Sequence, residues 1–293
     1  MTGVVTELWR YPVKSMLGER REFLHVNTRG VLGDRLYAVR DRDGKLGSGK
    51  NTRRFRRIDG LFGCRASYDG AVPVVAFPGG VEVRGDDPSL DTRLRQVLGQ
   101  DDLRLAREGE FSHFDSAPLH VVTEASLSWL AGAVTDTKVD SRRARPNLVV
   151  ATGAAPGPVE NTWVGQRAEI GGSGGVVVEF TELTERCVMV NNAQSDLTHS
   201  SEVLRTIATL NDLALGIYAT VIRGGTIRLG DEVRLTRSLR ELPASVRYVR
   251  RQAAGRGRAL PVAGVQCAAT GIGAHDRSAD NVEDFPLVED RPP

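Results

Sequence analysis

"GCRASYDGAVPVVAFPGGVEVRG", residues 63–85, holds three short β-rich runs separated by an Asp-Gly pair and a Pro-Gly-Gly triplet. Runs this short, closed by turn residues, read as closely spaced strands rather than helices. The same texture precedes it in "VVTELWRY" (4–11), "GERREFLHVN" (18–27) and "LYAVRD" (36–41), the last followed by a hairpin turn at Asp43-Gly44. Strands at this spacing predict a curled sheet or barrel. "PSLDTRLRQVL" (88–98) carries apolar residues at helical spacing behind a Ser89 cap and predicts a helix.

The second half continues in β texture with a few helical insertions. "PLHVVT" (118–123) reads as a strand, Glu124 to Leu130 as a short helix, and "RPNLVVA" (145–151), "AEIGG" (168–172), "VVVEFTEL" (176–183) and "CVMVN" (187–191) as strands. "SSEVLRTIATLN" (200–211) predicts a serine-capped helix, and "IYATVI" (217–222) leads into a closing hairpin over "GTIRLGDEVRL" (225–235). The expected class is mostly β with α additions. Beyond Leu235 the chain is Gly-, Pro- and Asp-rich, with seven Arg against one Glu over 236–258, and disorder is expected.

Composition sets the broad limits. At 293 residues, 40% hydrophobic and 26% charged, the chain has the make-up of a globular protein of one large or two smaller domains. No apolar run is long enough to cross a bilayer and the N-terminus has no secretory pattern, so a cytoplasmic location is expected. A net charge of +2 does not argue for nucleic acid, whose only support is the two arginine-rich clusters. Cys64, Cys187 and Cys267 are odd in number and far apart, which disfavours a disulfide framework, a structural zinc site or a cysteine-ligated cluster.

Several motifs fail as nucleotide or metal sites. "GKLGSGKNT" (44–52) has the glycines and lysine of a phosphate loop, but Asn51 stands where Ser or Thr would hold magnesium, and no helix is expected after it. "DRDG" lacks the closing Glu of a calcium loop. "GGSGG" (171–175) precedes a strand and reads as a hairpin turn. None of the five histidines has metal-binding spacing, and His113 and His120 are as suited to packing as to catalysis.

What remains is a set of cations and one cysteine. Residues 40–57 hold eight Lys or Arg against two Asp, beside Gly47, Ser48 and Gly49, whose amides can form an anion nest; a solvated charged loop explains the run equally well. Lys14, Ser15, Arg35, Arg143 and Arg145 fall at expected strand ends, where a closed sheet could bring them to one anionic group. Cys187 follows Arg186 directly. A lone cysteine in a strand is most often a small buried hydrophobe, but a neighbouring guanidinium favours the thiolate that attacks or binds metal.

In order along the chain, "RYPVKSMLGE", "GVLGDRLYAVRD", "SHFDSAPLHVVTEASL", "RRARPNLVV", "NTWVG", "ERCVM" and "GIYATVIRGGTIRLGDEV" resemble the MOSC family together with its N-terminal β-barrel domain. The resemblance covers about residues 4–235. It implies a MOSC β-barrel fold with an N-terminal β-barrel-like domain, the two divided as 1–114 and 115–235, with 236–293 as the tail. It also implies a molybdenum cofactor (Mo-molybdopterin) whose metal takes Cys187 as its protein ligand. Lys14, Ser15, Arg35, Ser48, Lys50, Arg145 and Asn147 would hold the pterin and its phosphate. The implied activity is an oxidoreductase that reduces N-hydroxylated or N-oxygenated small molecules. Its electrons would come from a separate ferredoxin- or flavoprotein-type partner, since no cysteine-rich module appears in the tail. The alternative is a sulfur or molybdenum cofactor carrier without reductase turnover.

Overall fold

The computed structural model describes residues 2–236. The expected disordered tail, with Cys267 and the second arginine cluster, lies outside the described residues.

Seven strands close into a barrel: β1 (Thr2–Arg10), β2 (Leu119–Thr123), β3 (Leu148–Ala151), β4 (Arg167–Ile170), β5 (Val176–Glu185), β6 (Ala214–Arg223) and β7 (Glu232–Thr236). The order around it is β1-β3-β2-β6-β5-β4-β7, and β7 pairs back onto β1. Alternate residues point inward, so Val176, Val178 and Phe180 of β5 meet Val5, Ile217 and Trp163 in one buried core. The barrel draws on both sides of the expected 114/115 boundary, because β1 sits between β3 and β7.

Four helices decorate the sheets: α1 (Leu90–Leu98), α2 (Glu124–Ala133), α3 (Ser141–Ala144) and α4 (Glu202–Asn211). Six of the seven barrel pairings are antiparallel, and β2 with β3 is parallel. A parallel pair needs a crossover instead of a hairpin, and here the crossover carries α2 and α3. It returns to the barrel through Arg145 and Asn147, which is how two cavity residues arrive at the start of β3. Among the described residues no helix is long and apolar enough to cross a membrane.

The N-terminal part packs two small sheets and α1 around a second core. Strands Arg65–Asp69, Val72–Ala76 and Glu82–Arg84 form one sheet; Arg104–Arg107, Tyr37–Arg40, Leu46–Ser48 and Phe55–Arg57 form the other. Leu90, Leu94 and Leu98 of α1 bury one face against Val39, Val75 and Cys64. Cys64 is wholly buried and burial pushes its thiol up to about 11, so this cysteine is a core hydrophobe. The phosphate-loop reading fails as the sequence indicated, since the strand Phe55–Arg57 follows "GKLGSGKNT" where a helix would be required.

Two local expectations are corrected. The segment 225–235 is not a hairpin: Gly225–Arg228 pairs with the strand Phe23–Asn27, while Glu232–Thr236 runs between β1 and β4 as β7. Alternation identified both strands but carries no information about their partners, and barrel closure claims the second. "CVMVN" is not a strand either. β5 ends at Glu185, and Val188–Asn191 forms a 3-10 turn with Cys187 at its N-cap. The Val190 N–H turns back to the Cys187 carbonyl instead of extending the ladder.

Candidate functional site

A cavity of about 110 Å³ lies where the chain leaves β1 and β5 and enters β2 and β3. Lys14, Ser15, Arg35, Ser48, Lys50, Arg145, Asn147 and Cys187 all line it. These eight residues come from five separate stretches of sequence. The structure therefore brings these eight residues to one place.

Three of the eight adopt left-handed backbone: Ser15 (φ 64), Arg35 (φ 49) and Arg145 (φ 55). Side chains other than glycine rarely enter this region, and doing so costs of order 1 kcal/mol or more each. Such strain persists where the surroundings over-determine it. Around Arg35 they do so densely. Its guanidinium pairs with the wholly buried Asp34 and donates to the Arg145 carbonyl at 3.1 Å, and Asp34 in turn accepts from the Tyr11 N–H at 2.7 Å. Burial opposes the charge on Arg35, but the Asp34 carboxylate outweighs it and holds the guanidinium charged.

Among the described residues Arg145 has no carboxylate partner. It donates to the Met16 carbonyl at 2.6 Å and lies over the ring of Tyr11 at 4.3 Å, so Tyr11 is faced by both guanidinium groups. Burial pushes its pKa down to about 10. Lys14 is 4% exposed, donates to the His113 carbonyl at 2.7 Å and pairs with Asp115 at 3.0 Å. Burial lowers Lys14 to about 8, despite the opposing pull of Asp115. Burial acts to raise Asp115, yet Lys14 and Arg35 bring its carboxyl down to about 2.

Cys187 sits on the 3-10 turn with no cap bond from its side chain. Arg186 beside it donates to the Ala144 carbonyl at 2.8 Å, but its Nε is buried without a partner. Met189 of the same turn lines the cavity and rests on Gly49, where an added Cβ would lie 2.3 Å from the Met189 sulfur. A side chain at Gly49 would have to push the flexible Met189 thioether aside.

Arg143 does not join the other cations, contrary to the convergence expected at the strand ends. It is 1% exposed and points into the protein behind the cysteine turn. There it donates to the carbonyls of Lys138 (3.0 Å), Val190 (3.2 Å) and Thr198 (2.7 Å) and to the Thr137 hydroxyl (2.8 Å). One side chain ties the crossover to the turn that carries Cys187. Asn147 lines the cavity, but its amide serves the framework as well, accepting from the His120 N–H and donating to the Trp9 carbonyl.

Both histidines turn out to be buried framework groups. Burial and Arg40 lower His113 to about 4; its Nε2 lies 2.8 Å from the Arg40 guanidinium, which can only donate, and its Nδ1 lies 3.2 Å from the Arg35 carbonyl. The partners assign the proton to Nδ1. His120 lines the cavity, held well below its ordinary pKa by burial and by Arg186. Gly216 (φ 85) faces it so closely that an added Cβ would lie 2.4 Å from His120 Nε2. Asp115, Glu185, Met189 and Tyr218 also line the cavity and escaped the sequence reading. Asp115 lies within a quoted motif, but nothing local marks a carboxylate whose partner, Lys14, is a hundred residues earlier.

The fold and the cavity can now be set beside known proteins. The family model described as the MOSC domain matches residues 108–234, and the model described as the MOSC N-terminal beta barrel domain matches residues 2–83.

The chain belongs to the MOSC family.

Within this MOSC protein the N-terminal match contains β1, although β1 closes the barrel formed by strands of the other match. No curated protein matches the sequence. Similar solved structures include the YuaD protein of Bacillus subtilis, 14% identical, with TM-score 0.42 over 80% of this chain and 96% of that one. They also include YiiM from Geobacillus stearothermophilus, 10% identical, with TM-score 0.31 over 41% and 54%. A third, described as a hypothetical protein, is 11% identical, with TM-score 0.39 over 83% and 71%.

Proposed function

We propose that this MOSC protein is an oxidoreductase that binds Mo-molybdopterin in the Cys187 cavity and reduces N-hydroxylated or N-oxygenated small molecules. Its electrons would come from a separate ferredoxin- or flavoprotein-type partner. The observation that carries the reading is the composition of one cavity: five cationic side chains, two carboxylates and a single thiol.

The residues fit such a group. Lys14, Arg35, Lys50, Arg145 and Arg186 outnumber Asp115 and Glu185, and the orphaned Nε of Arg186 calls for an acceptor. An anionic phosphate supplies acceptors and charge together. Among the described residues no three His, Cys, Asp or Glu could hold a metal by themselves, so a metal at Cys187 must bring its remaining ligands with it. The cysteine thiolate is a soft donor suited to such a metal. When bound, the cofactor supplies two-electron redox chemistry, releasing the N–O oxygen of the substrate as water.

The chain's own residues bind and position. Lys14, Lys50, Arg35 and Arg145 provide positive charge for the phosphate, and Arg186 directly precedes Cys187. Neutral His120 adds no competing charge.

The decisive experiment is metal and pterin analysis of the full chain produced in a host that makes molybdenum cofactor. About one molybdenum and one pterin per chain, with reduction of benzamidoxime that depends on an added reductant, is expected. Protein that never retains pterin would remove the reading, and retained cofactor with no benzamidoxime reduction in the presence of the reductant would favour the carrier alternative.

A pH prediction follows from Lys14. Its folded pKa of about 8 lies below the ordinary 10.5, so between these values the unfolded chain binds more protons than the folded one. Lys14 therefore opposes folding below about pH 8, and that cost is relieved as pH rises towards 10.5. The ammonium charge of the folded chain is lost as pH rises through about 8. Sulfate, whose charge is constant there, is expected to bind the cofactor-free chain more weakly as pH rises through 8. Lys14→Met should flatten that dependence in an equilibrium-dialysis series.

A further inference from the structure

A second and larger cavity, of about 890 Å³, adjoins the first and shares Phe114 and Asp115 with it. Its volume falls in the range of small-molecule pockets, roughly 300–1,000 Å³. The basic run flagged in the sequence divides here. Arg42, Arg56 and Arg57 are matched by Asp102, Asp41 and Asp59 and belong to the scaffold. Arg40, Lys45, Arg53 and Arg54 line the cavity, and among the described residues none of them has a carboxylate partner. Arg40 meets the neutral His113, and Arg54 donates to the Ser112 and Phe114 carbonyls, so their charges stay uncancelled. Two lining carboxylates, Asp43 and Glu110, are likewise unpaired, leaving the cations in excess. Phe111 stands at the same cavity with 77% of its surface exposed, so its ring is open to a ligand there.

We infer that this second cavity binds aromatic carboxylates, the anion among Arg40, Lys45, Arg53 and Arg54 and the ring against Phe111, and so selects acidic aromatic substrates for the Cys187 cavity beyond the shared wall. The binding stands on the cavity alone; the selection rests on the proposed reductase reading. A concave site with uncompensated cations recovers charge-assisted contacts from a carboxylate that a neutral isostere cannot make.

The test uses the full chain with its cofactor bound. Benzoate and its neutral isostere benzamide are titrated by saturation-transfer NMR, with wild type compared to the double variant Lys45→Glu/Arg53→Glu. A second pair, Lys45→Gln/Arg53→Gln, guards against a folding defect from reversed charge. Benzoate is expected to bind at least about tenfold more weakly to either variant and to lose affinity as salt rises, while benzamide is unaffected. With 4-carboxybenzamidoxime as substrate, KM should rise by a similar factor and kcat should hold, whereas benzamidoxime kinetics should not move. Equal benzoate affinity in wild type and both variants would overturn the binding site, and an equal KM change for the charged and neutral substrates would overturn the selection. Charge-dependent benzoate binding in a chain that reduces neither compound would uphold the binding site while sinking the reductase reading.

Discussion

Cys187→Ala is expected to abolish reduction of benzamidoxime, to below about a thousandth of wild type, and to leave the fold intact. The side chain caps nothing and lies half-buried on a 3-10 turn, so its loss should change stability by no more than about 1 kcal/mol. Pterin should remain, because the cationic groups that would hold its phosphate are elsewhere in the cavity. The comparison needs turnover per folded molecule, X-ray absorption at the molybdenum edge and a melting curve for both proteins. A metal spectrum and a rate that match wild type would return Cys187 to the role of a packing residue.

Arg143→Met is expected to be the most destabilising single change near the site, by about 3 kcal/mol. The flexible apolar side chain fills much of the space but leaves the buried Val190 carbonyl and the part-buried Lys138 and Thr198 carbonyls without their donor, at about 1–3 kcal/mol for each that finds no water. Burial already lowers the pKa of Arg143, so the native side chain is held charged at some cost and is retained for its several donors. Urea denaturation measures the loss. The turn should also loosen before the barrel does, so Cys187 should react faster with a thiol reagent in Arg143→Met at denaturant concentrations where both proteins remain folded. Wild-type stability with unaltered thiol kinetics would show that the carbonyls find other donors.

The fold class is legible because alternation and turn residues recur through both halves, and six of the seven barrel strands coincide with runs that the sequence marks as separate strands. The seventh, β7, reads as a strand too, but its neighbourhood suggests a hairpin. Partner choice is a property of closure, and closure joins segments that share no local signal. The cavity was legible for a different reason. Lys14, Ser15, Arg35, Arg145 and Cys187 stand in ordered motifs, so a family resemblance could select them without any knowledge of distance. That resemblance could not separate Arg143 from Arg145, two residues apart on the same short crossover, because the left-handed backbone at Arg145 reverses which way the chain presents its side chains. Nor could it find Tyr218, which looks like any other aromatic in a strand, or the division of the basic run into matched and unmatched cations.

The place of β1 in the barrel has a bearing on how the chain reaches its native state. Val4 pairs with Ala151 on one side and Glu232 on the other, so a strand made before the rest of the barrel is satisfied only when the barrel's C-terminal strand emerges. Until residues beyond 232 emerge, one edge of Thr2–Arg10 exposes unpaired amides and carbonyls, and its apolar Val5 and Leu8 lack their core. Contacts of such long sequence separation make for slow folding with an aggregation-exposed interval. The nascent protein thus carries an open sheet edge from the synthesis of β1 until that of β7, an interval in which chaperone binding is expected.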